Sequence, residues 1–457
     1  MASVDVWSRC ANLVQLWWTR HGGVPAADLA AHRLASLVRF ARERSPYYRR
    51  LYAGLPRELV ALTALPVTHK TALMEHFDDW VTDRRITRAA VERFMETRQP
   101  GERLPGNYVA WQSSGSSGTP GLFVQDRHAL AVYDALVAQQ FGESWWGPAA
   151  AALAAAGGRA ALVAPTHGHF ASVVSWEQSR RAQGVQRARS FSVMEPLPRL
   201  VAALQEWRPA FLASYPSVLA LLANERLAGR LRIRPAALWS GGEFLAPNVR
   251  EHIEHAFEAP LLNEYGASEC LSIAGSCSAG ALHLHADWSL LEPVDAQYRP
   301  VAPGRMSHTV LLTNLANWVQ PIIRYDLGDR VAVAARACPC GNPMPAIFVE
   351  GRTDDTLHMR SRRGELVPLP PLAIATVVED AAHVHRFQLV QTAPDALVLR
   401  LPAGAAARAG TWKLALPAMR AYLDGQGLAN VRVALDRLSP RVDAASGKMR
   451  TVVALPG

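Results

Sequence analysis

Four short apolar runs, Ala160–Ala164, Ala210–Ser214, Ala237–Trp239 and Leu261–Glu264, are spaced by stretches whose apolar residues recur at helical intervals. Continuous apolar runs of this length read as buried strands, and strands alternating with helical patterns predict an α/β architecture. The helical spacing is plainest over residues 29–50, where it stops at Ser45-Pro46, from Lys70 onward, and over residues 128–142 and 196–207. Between Ser289 and Val333 the pattern shifts to short strands with turns at Pro303-Gly304 and Asp326–Gly328, as in an antiparallel or barrel-like unit. After Gly351 a small α/β module of about 100 residues follows, an ordinary domain size. A chain of 457 residues exceeds one compact core, so more than one domain is expected.

Composition removes several function classes. The chain is 49% hydrophobic and 19% charged, which gives a well-cored globular protein. No apolar run reaches the roughly 20 residues of a membrane span. The richest stretch, Ala149–Ala164, is interrupted by Gly157, Gly158 and Arg159. The first 20 residues lack the apolar segment and small-residue cleavage site of a signal peptide, so a cytoplasmic location is expected. The net charge of +9 is scattered, without a basic stripe interleaved with aromatics, so nucleic acid is not the expected partner. Of the 48 basic residues, the lysines are Lys70, Lys413 and Lys448 alone. In a chain this biased to arginine, a retained lysine marks a place needing a compact charge on a flexible stem.

The segment Ser113-Ser114-Gly115-Ser116-Ser117-Gly118-Thr119-Pro120 packs hydroxyls and glycines into a loop whose N–H and O–H groups can converge on an anion. By composition alone it could equally be a surface loop, and it lacks the Gly-Lys-Ser/Thr end of a Walker A loop. The motifs that follow it decide between these. In order they are Ser240-Gly241-Gly242-Glu243, Glu264-Tyr265-Gly266-Ala267-Ser268-Glu269, Ile323-Arg324-Tyr325-Asp326-Leu327-Gly328-Asp329, Gly351-Arg352-Thr353-Asp354-Asp355 and Ser446-Gly447-Lys448.

This series resembles the adenylate-forming superfamily of acyl-CoA synthetases, peptide-synthetase adenylation domains and luciferases. Ser45-Pro46-Tyr47-Tyr48 and Leu65-Pro66-Val67-Thr68 with Lys70 are similar to the opening motifs of its phenylacetate–CoA ligase branch. The resemblance implies a large N-terminal region, residues 1–351, with two α/β sheet layers and a barrel-like β unit, and a small mobile α/β domain, residues 352–457. It implies ATP, Mg²⁺ and coenzyme A as cofactors. Ser113, Ser114, Gly115, Ser116, Ser117, Gly118 and Thr119 would hold the β- and γ-phosphates. Gly241, Gly242, Glu243, Tyr265 and Gly266 would line the adenine, Ser268 would touch the α-phosphate and Glu269 would ligate Mg²⁺. Asp329 would take the ribose hydroxyls beside Arg352, Asp354 and Asp355 would form the hinge, and Lys448 would bridge carboxylate and nucleotide. Each residue also has an ordinary reading, as a turn aspartate, a surface arginine or a solvated terminal lysine; their joint order favours the functional set. The chain departs from the family at Thr119, where lysine or leucine is common, at Ser116-Ser117, which replace threonines, and at Asp326-Leu327-Gly328.

Five cysteines in a chain of this kind argue against a disulfide framework. Cys277, His283, Cys338 and Cys340 offer three thiolates and an imidazole, a tetrahedral zinc set, with His285 as rival to His283. Buried free thiols are the alternative. Some phenylacetate–CoA-ligase-like relatives carry a similar pattern, which supports structural zinc. The acyl pocket is expected among Trp145-Trp146, His167, His169, Phe170 and Tyr215, and the branch resemblance implies an aryl acid of phenylacetate, benzoate or aminobenzoate type. The acceptor is expected to be coenzyme A. A carrier-protein phosphopantetheine, an amine or a hydroxyl stays open, as do a non-adenylating acyltransferase and a homodimeric assembly.

Overall fold

In a computed structural model of the chain, residues 23–58, 61–113, 121–145, 157–166, 168–182, 187–350, 356–384, 386–402, 405–441 and 450–455 are described. Ser114–Thr119, His167, Arg352, Asp354, Asp355 and Lys448 lie outside them. The chain is a mixed α/β protein built on a nine-stranded sheet. Its parallel half runs Ala188–Ser192, Ala160–Ala164, Phe211–Ser214, Ala237–Gly241, Leu261–Ala267 in space. The antiparallel half continues with Cys270–Ser276, Leu282–Leu284, Ala346–Glu350 and Arg330–Val333. The four apolar runs of the sequence are therefore neighbouring strands; the first three are each followed by a helix, as parallel pairing requires, and the fourth turns back into the antiparallel half.

Period-2 alternation divides these strands between two cores. Ala161, Val163, Leu212, Leu238 and Leu261 face the helices Leu197–Trp207, Pro216–Leu227 and Pro247–Phe257. Leu162, Ala164 and Ala213 face the other way, toward Val173 and Trp176 of the helix Ala171–Ala182. Each fully buried Leu or Val in such a layer contributes about 1.5–3 kcal/mol relative to exposure. Segments 289–333 split: Ser289–Val294, Thr309–Asn314 and Ile322–Asp326 form a three-stranded antiparallel sheet, whereas Arg330–Val333 joins the edge of the large sheet.

The N-terminal part is clamped onto this body. The helix Ala26–Arg44 ends where Ser45 caps the next helix, Pro46–Leu51: the Ser45 hydroxyl accepts the Tyr48 N–H and Pro46 supplies a ready-made first turn. Buried Tyr48 and Trp80 both donate to the Pro321 carbonyl, at 3.0 and 2.7 Å. Thr68 donates to Arg324 O at 2.9 Å and accepts from Asp326 N at 2.9 Å, forming a bridge beside Tyr325. The helix Lys70–Glu75 starts two residues later, and its first residue reaches Ser113.

After residue 355 a third core forms around Leu357, Phe387, Leu389, Leu399 and Met419. It fills the space between a two-stranded sheet, Leu357–Arg360 with Leu366–Leu369, and a four-stranded sheet ordered Arg432–Leu435, Ala396–Arg400, Gln388–Ala393, Val452–Val453. Gln426 Nε2 donates to Met194 O at 2.9 Å, tying this part to the large sheet's far edge. No helix among the described residues is long and apolar enough to cross a membrane.

Candidate active site

The C-terminal ends of the parallel strands open into a cleft of about 2230 Å³. Ligands in open α/β sheets bind at this edge, because each strand there ends in a loop free to vary. Ser113, the segment Gly241–Glu243, the segment Tyr265–Glu269 and Asp329 all border it. Residues separated by more than 200 positions in sequence thus meet around one space.

Local structure explains the glycines. A Cβ on Gly266 would lie 2.0 Å from the Leu271 carbonyl oxygen, because the hairpin from Leu261–Ala267 to Cys270–Ser276 folds tightly there with a register shift between Tyr265 and Ala267. Gly242 has φ +79°, and a Cβ there would meet the Tyr215 ring at 2.9 Å. Glu243 turns back to cap a helix: its carboxylate accepts from Ser217 N and Ser217 Oγ, each at 3.0 Å, at the start of Pro216–Leu227.

The polar wall is held by named bonds. Tyr265 donates to Asp329 Oδ2 at 2.9 Å, which joins the strand to the loop after Tyr325. Glu269 accepts the Tyr325 hydroxyl at 2.7 Å. Burial pushes the Glu269 carboxyl above the usual carboxylate range, opposed by the Tyr325 hydrogen bond and the charge of Lys70. Its backbone is fixed by Asn314 Nδ2 donating to Glu269 O at 2.9 Å, and Trp111 Nε1 fixes Ser268 O at 2.8 Å. On the opposite lip, Ser113 and Gly121 close the base of the serine-glycine loop through Ser113 N to Gly121 O, 2.9 Å, and Gly121 N to Ser113 Oγ, 2.8 Å.

Lys70 Nζ donates to Ser113 Oγ at 3.3 Å, so a cation stands between the phosphate-loop base and Glu269. Sequence reasoning gave Lys70 no role. The signal was present in its being one of three lysines. What was absent was the Thr68 bridge, a contact across 255 residues that brings it here.

The acyl-pocket residues separate. Phe170 and Tyr215 border the cleft, and Tyr215 OH lies 3.0 Å from Ser172 Oγ. His169 does not border it: its Nε2 lies 3.0 Å from Arg98 O and its ring packs edge-on to Phe94 at 6.1 Å. The backbone explains this, since Gln112 N binds His169 O at 2.8 Å and alternation then turns the ring away from Phe170. His167 lies outside the described residues, as do the side chains of Trp145 and Trp146.

Cys277, His283, Cys338 and Cys340 come together with all four ligand atoms within 4.8 Å of one another. The sulfurs of Cys277 and Cys338 are 3.8 Å apart, and Cys340 Sγ is 3.4 Å from His283 Nε2. Tetrahedral zinc with Zn–S near 2.3 Å sets sulfur–sulfur edges of about 3.8 Å, far longer than a disulfide. His283 Nδ1 lies 2.7 Å from Met344 O, which leaves Nε2 aimed at the thiols, the second contact a metal-binding imidazole normally makes. The donor set fits zinc. His285 is buried but not part of the cluster.

No family model matches the chain. Phenylacetate-coenzyme A ligase from Thermus thermophilus is 27% identical over 351 residues, covering 73% of this chain and 71% of that protein. Protein CapK from Staphylococcus aureus is 24% identical over 173 residues, 37% of each chain. Among solved structures, 2-hydroxyisobutyryl-CoA ligase in complex with 2-HIB-AMP and CoA in the thioesterification state matches with a TM-score of 0.59 at 23% identity, covering 94% of this chain and 90% of that one. The open conformation of the same ligase matches at 0.54 and 22%, covering 93% and 90%. The chain is similar to adenylate-forming enzymes, in sequence to that relative and in fold to that ligase, with its motif residues gathered on one cleft.

Proposed function

We propose that the chain is an AMP-forming acid–thiol ligase: it joins an aromatic carboxylic acid to AMP from ATP, releases pyrophosphate, and passes the acyl group to coenzyme A. The supporting observation is the convergence of Ser113, Gly241–Glu243, Tyr265–Glu269 and Asp329 on one cleft. Attack of a carboxylate on the α-phosphate brings two anions together, so the site must supply positive charge aimed at the transition state. Lys70 stands at one side of that space, and Glu269, anchored by Tyr325, is the carboxylate for Mg²⁺. Asp329, positioned by Tyr265, would take the ribose hydroxyls. Residues 352–457 would act as the mobile domain, turning on Asp354 and Asp355 to bring Lys448 in for adenylation and withdraw it before the thiol attacks. Arg352 and the loop Ser114–Thr119 would hold the ribose and the outer phosphates.

We also infer that Cys277, His283, Cys338 and Cys340 hold structural zinc. It would cross-link the end of Cys270–Ser276 to the segment preceding Ala346–Glu350, away from the reacting atoms.

Pyrophosphate exchange across a panel of carboxylic acids tests the adenylation step; exchange with no acid overturns it. Supplying coenzyme A or a phosphopantetheine carrier protein afterward, and weighing the product by mass spectrometry, separates the two acceptors.

A further inference from the structure

Tyr265 is turned toward Asp329; its neighbour Glu264, one residue earlier on the same strand, projects from the opposite face. Register pairs Glu264 with Gly241 and Leu262 with Trp239, so Glu264 and Trp239 share a face across the gap that Gly241 leaves. There Glu264 Oε2 accepts from Trp239 Nε1 at 3.2 Å, while Oε1 is buried without a hydrogen-bond partner. The residue is only 6% exposed, yet it borders the cleft. The Ser272 hydroxyl lies beside the carboxyl and, with Trp239, favours its ionised form against burial.

A carboxyl half-satisfied in an apolar layer is costly, and buried polar groups in folded proteins find partners. Glutamine or leucine would fill this position at lower cost. The surroundings indicate what completes it. Phe170, Trp176, Phe211, Tyr215 and Trp239 border the same space, and the Trp176 Nε1 is a second buried polar atom without a partner. A carboxylate acceptor in a cleft walled by aromatic side chains suits a nitrogen carrying hydrogens, through N–H bonds to the oxygen and attraction of its positive edge to the rings.

We propose that Glu264, with the aromatic walls around it, makes this enzyme select a carboxylic acid that bears an amino group. This rests on the cleft being the acid-activating site, and it narrows the substrate to amino-substituted acids. The Glu264 carboxylate takes the amino N–H bonds, Trp239 holds the other oxygen in place, and the acid's carboxyl lies toward Ser268 and the nucleotide.

Matched sets of acids test it: benzoates, phenylacetates and alkanoates in which one position carries amino, methyl, hydroxyl or hydrogen. Pyrophosphate exchange is measured with the full chain and with Glu264→Gln and Glu264→Leu. The expected result is a preference of about tenfold or more in kcat/KM for an amino acid over its methyl counterpart, lost in Glu264→Gln and reversed in Glu264→Leu. Quenching of tryptophan fluorescence on titrating the preferred acid, with circular dichroism of each variant, separates lost binding from lost folding. Methyl or hydroxyl acids exchanging as well as amino acids, or Glu264→Gln keeping the wild-type ranking, overturns this inference and leaves the ligase reading intact. Exchange with no acid overturns both.

Discussion

The two ends of the cleft are built on opposite chemistry. The end bordered by Ser113, Tyr265, Glu269 and Asp329 is polar, carries its residues in short motifs, and satisfies them: Tyr265 with Asp329, Tyr325 with Glu269, Lys70 with Ser113. The end bordered by Trp176, Tyr215 and Trp239 is aromatic, draws mainly on residues outside the motifs, and leaves Glu264 Oε1 and Trp176 Nε1 unpaired. On the proposed ligase reading the first end takes the nucleotide, the same molecule in every enzyme that uses one, so its site can be complete in advance. The second would take a variable acid, matched by groups that wait for it.

Substitutions at the two ends should therefore fail differently. The largest expected effect is at Lys448: Lys448→Ala lowers adenylation by about a thousandfold for every acid, the scale of losing a transition-state cation, while largely sparing thioester formation from supplied acyl-adenylate. Single-turnover assays of each half-reaction measure this, and equal loss in both would break the domain-rotation account. Removing the inferred zinc comes next. Cys338→Ser, or chelation under mild denaturant, should lower the melting temperature by several degrees, since loss of a ligand present at 100 times its Kd costs about 2.7 kcal/mol; one zinc per chain by elemental analysis should accompany the wild type. Lys70→Met should lower kcat/KM for ATP by roughly 10–100-fold, the span of one charged hydrogen bond, and by the same factor whichever acid is present. A factor that varied among acids would place Lys70 with the acyl end and blur the division.

The smallest effect is on stability. Burial raises the Glu264 carboxyl to about 7 from 4.5. Because the folded value lies above the unfolded one, the folded state binds the proton more tightly. The group thus favours folding at low pH, and its penalty builds as pH rises from about 4.5 to 7. Wild type should lose about 2 kcal/mol between pH 5 and pH 8 through this group, and Glu264→Gln should remove that part of the slope. Chemical denaturation at both pH values reads it directly.

The motifs at the proposed nucleotide end were legible as motifs because their residues are contiguous: Ser240–Glu243 and Glu264–Glu269 each follow an apolar run, and each lies at the end of a strand. The parallel strands were legible for the same local reason. Cys277, His283, Cys338 and Cys340 were readable as a set, with His285 as rival; the structure gathers those four and turns the His283 Nε2 toward the thiols through the Met344 carbonyl. His169 was expected in the pocket from its segment, between the serine-glycine loop and Tyr265, and from its residue type; its ring instead meets Arg98 O. Glu264 was read only as a motif letter. Its significance comes from Trp239 on the adjacent strand, a pairing no local pattern encodes.

The bridge at Thr68 has a consequence for biosynthesis. Its hydroxyl binds Ile323 O, 255 residues further on, so the segment that places Lys70 has nothing to dock against until that stretch leaves the ribosome. At 5–20 residues per second the wait is roughly 10–50 s. During that interval Tyr48 and Trp80, which end up buried against Pro321, must stay in solution on a nascent chain. The cleft's Lys70 lip is thus among the late features to form, and a truncation short of residue 323 would leave the N-terminal helices without the surface they pack on.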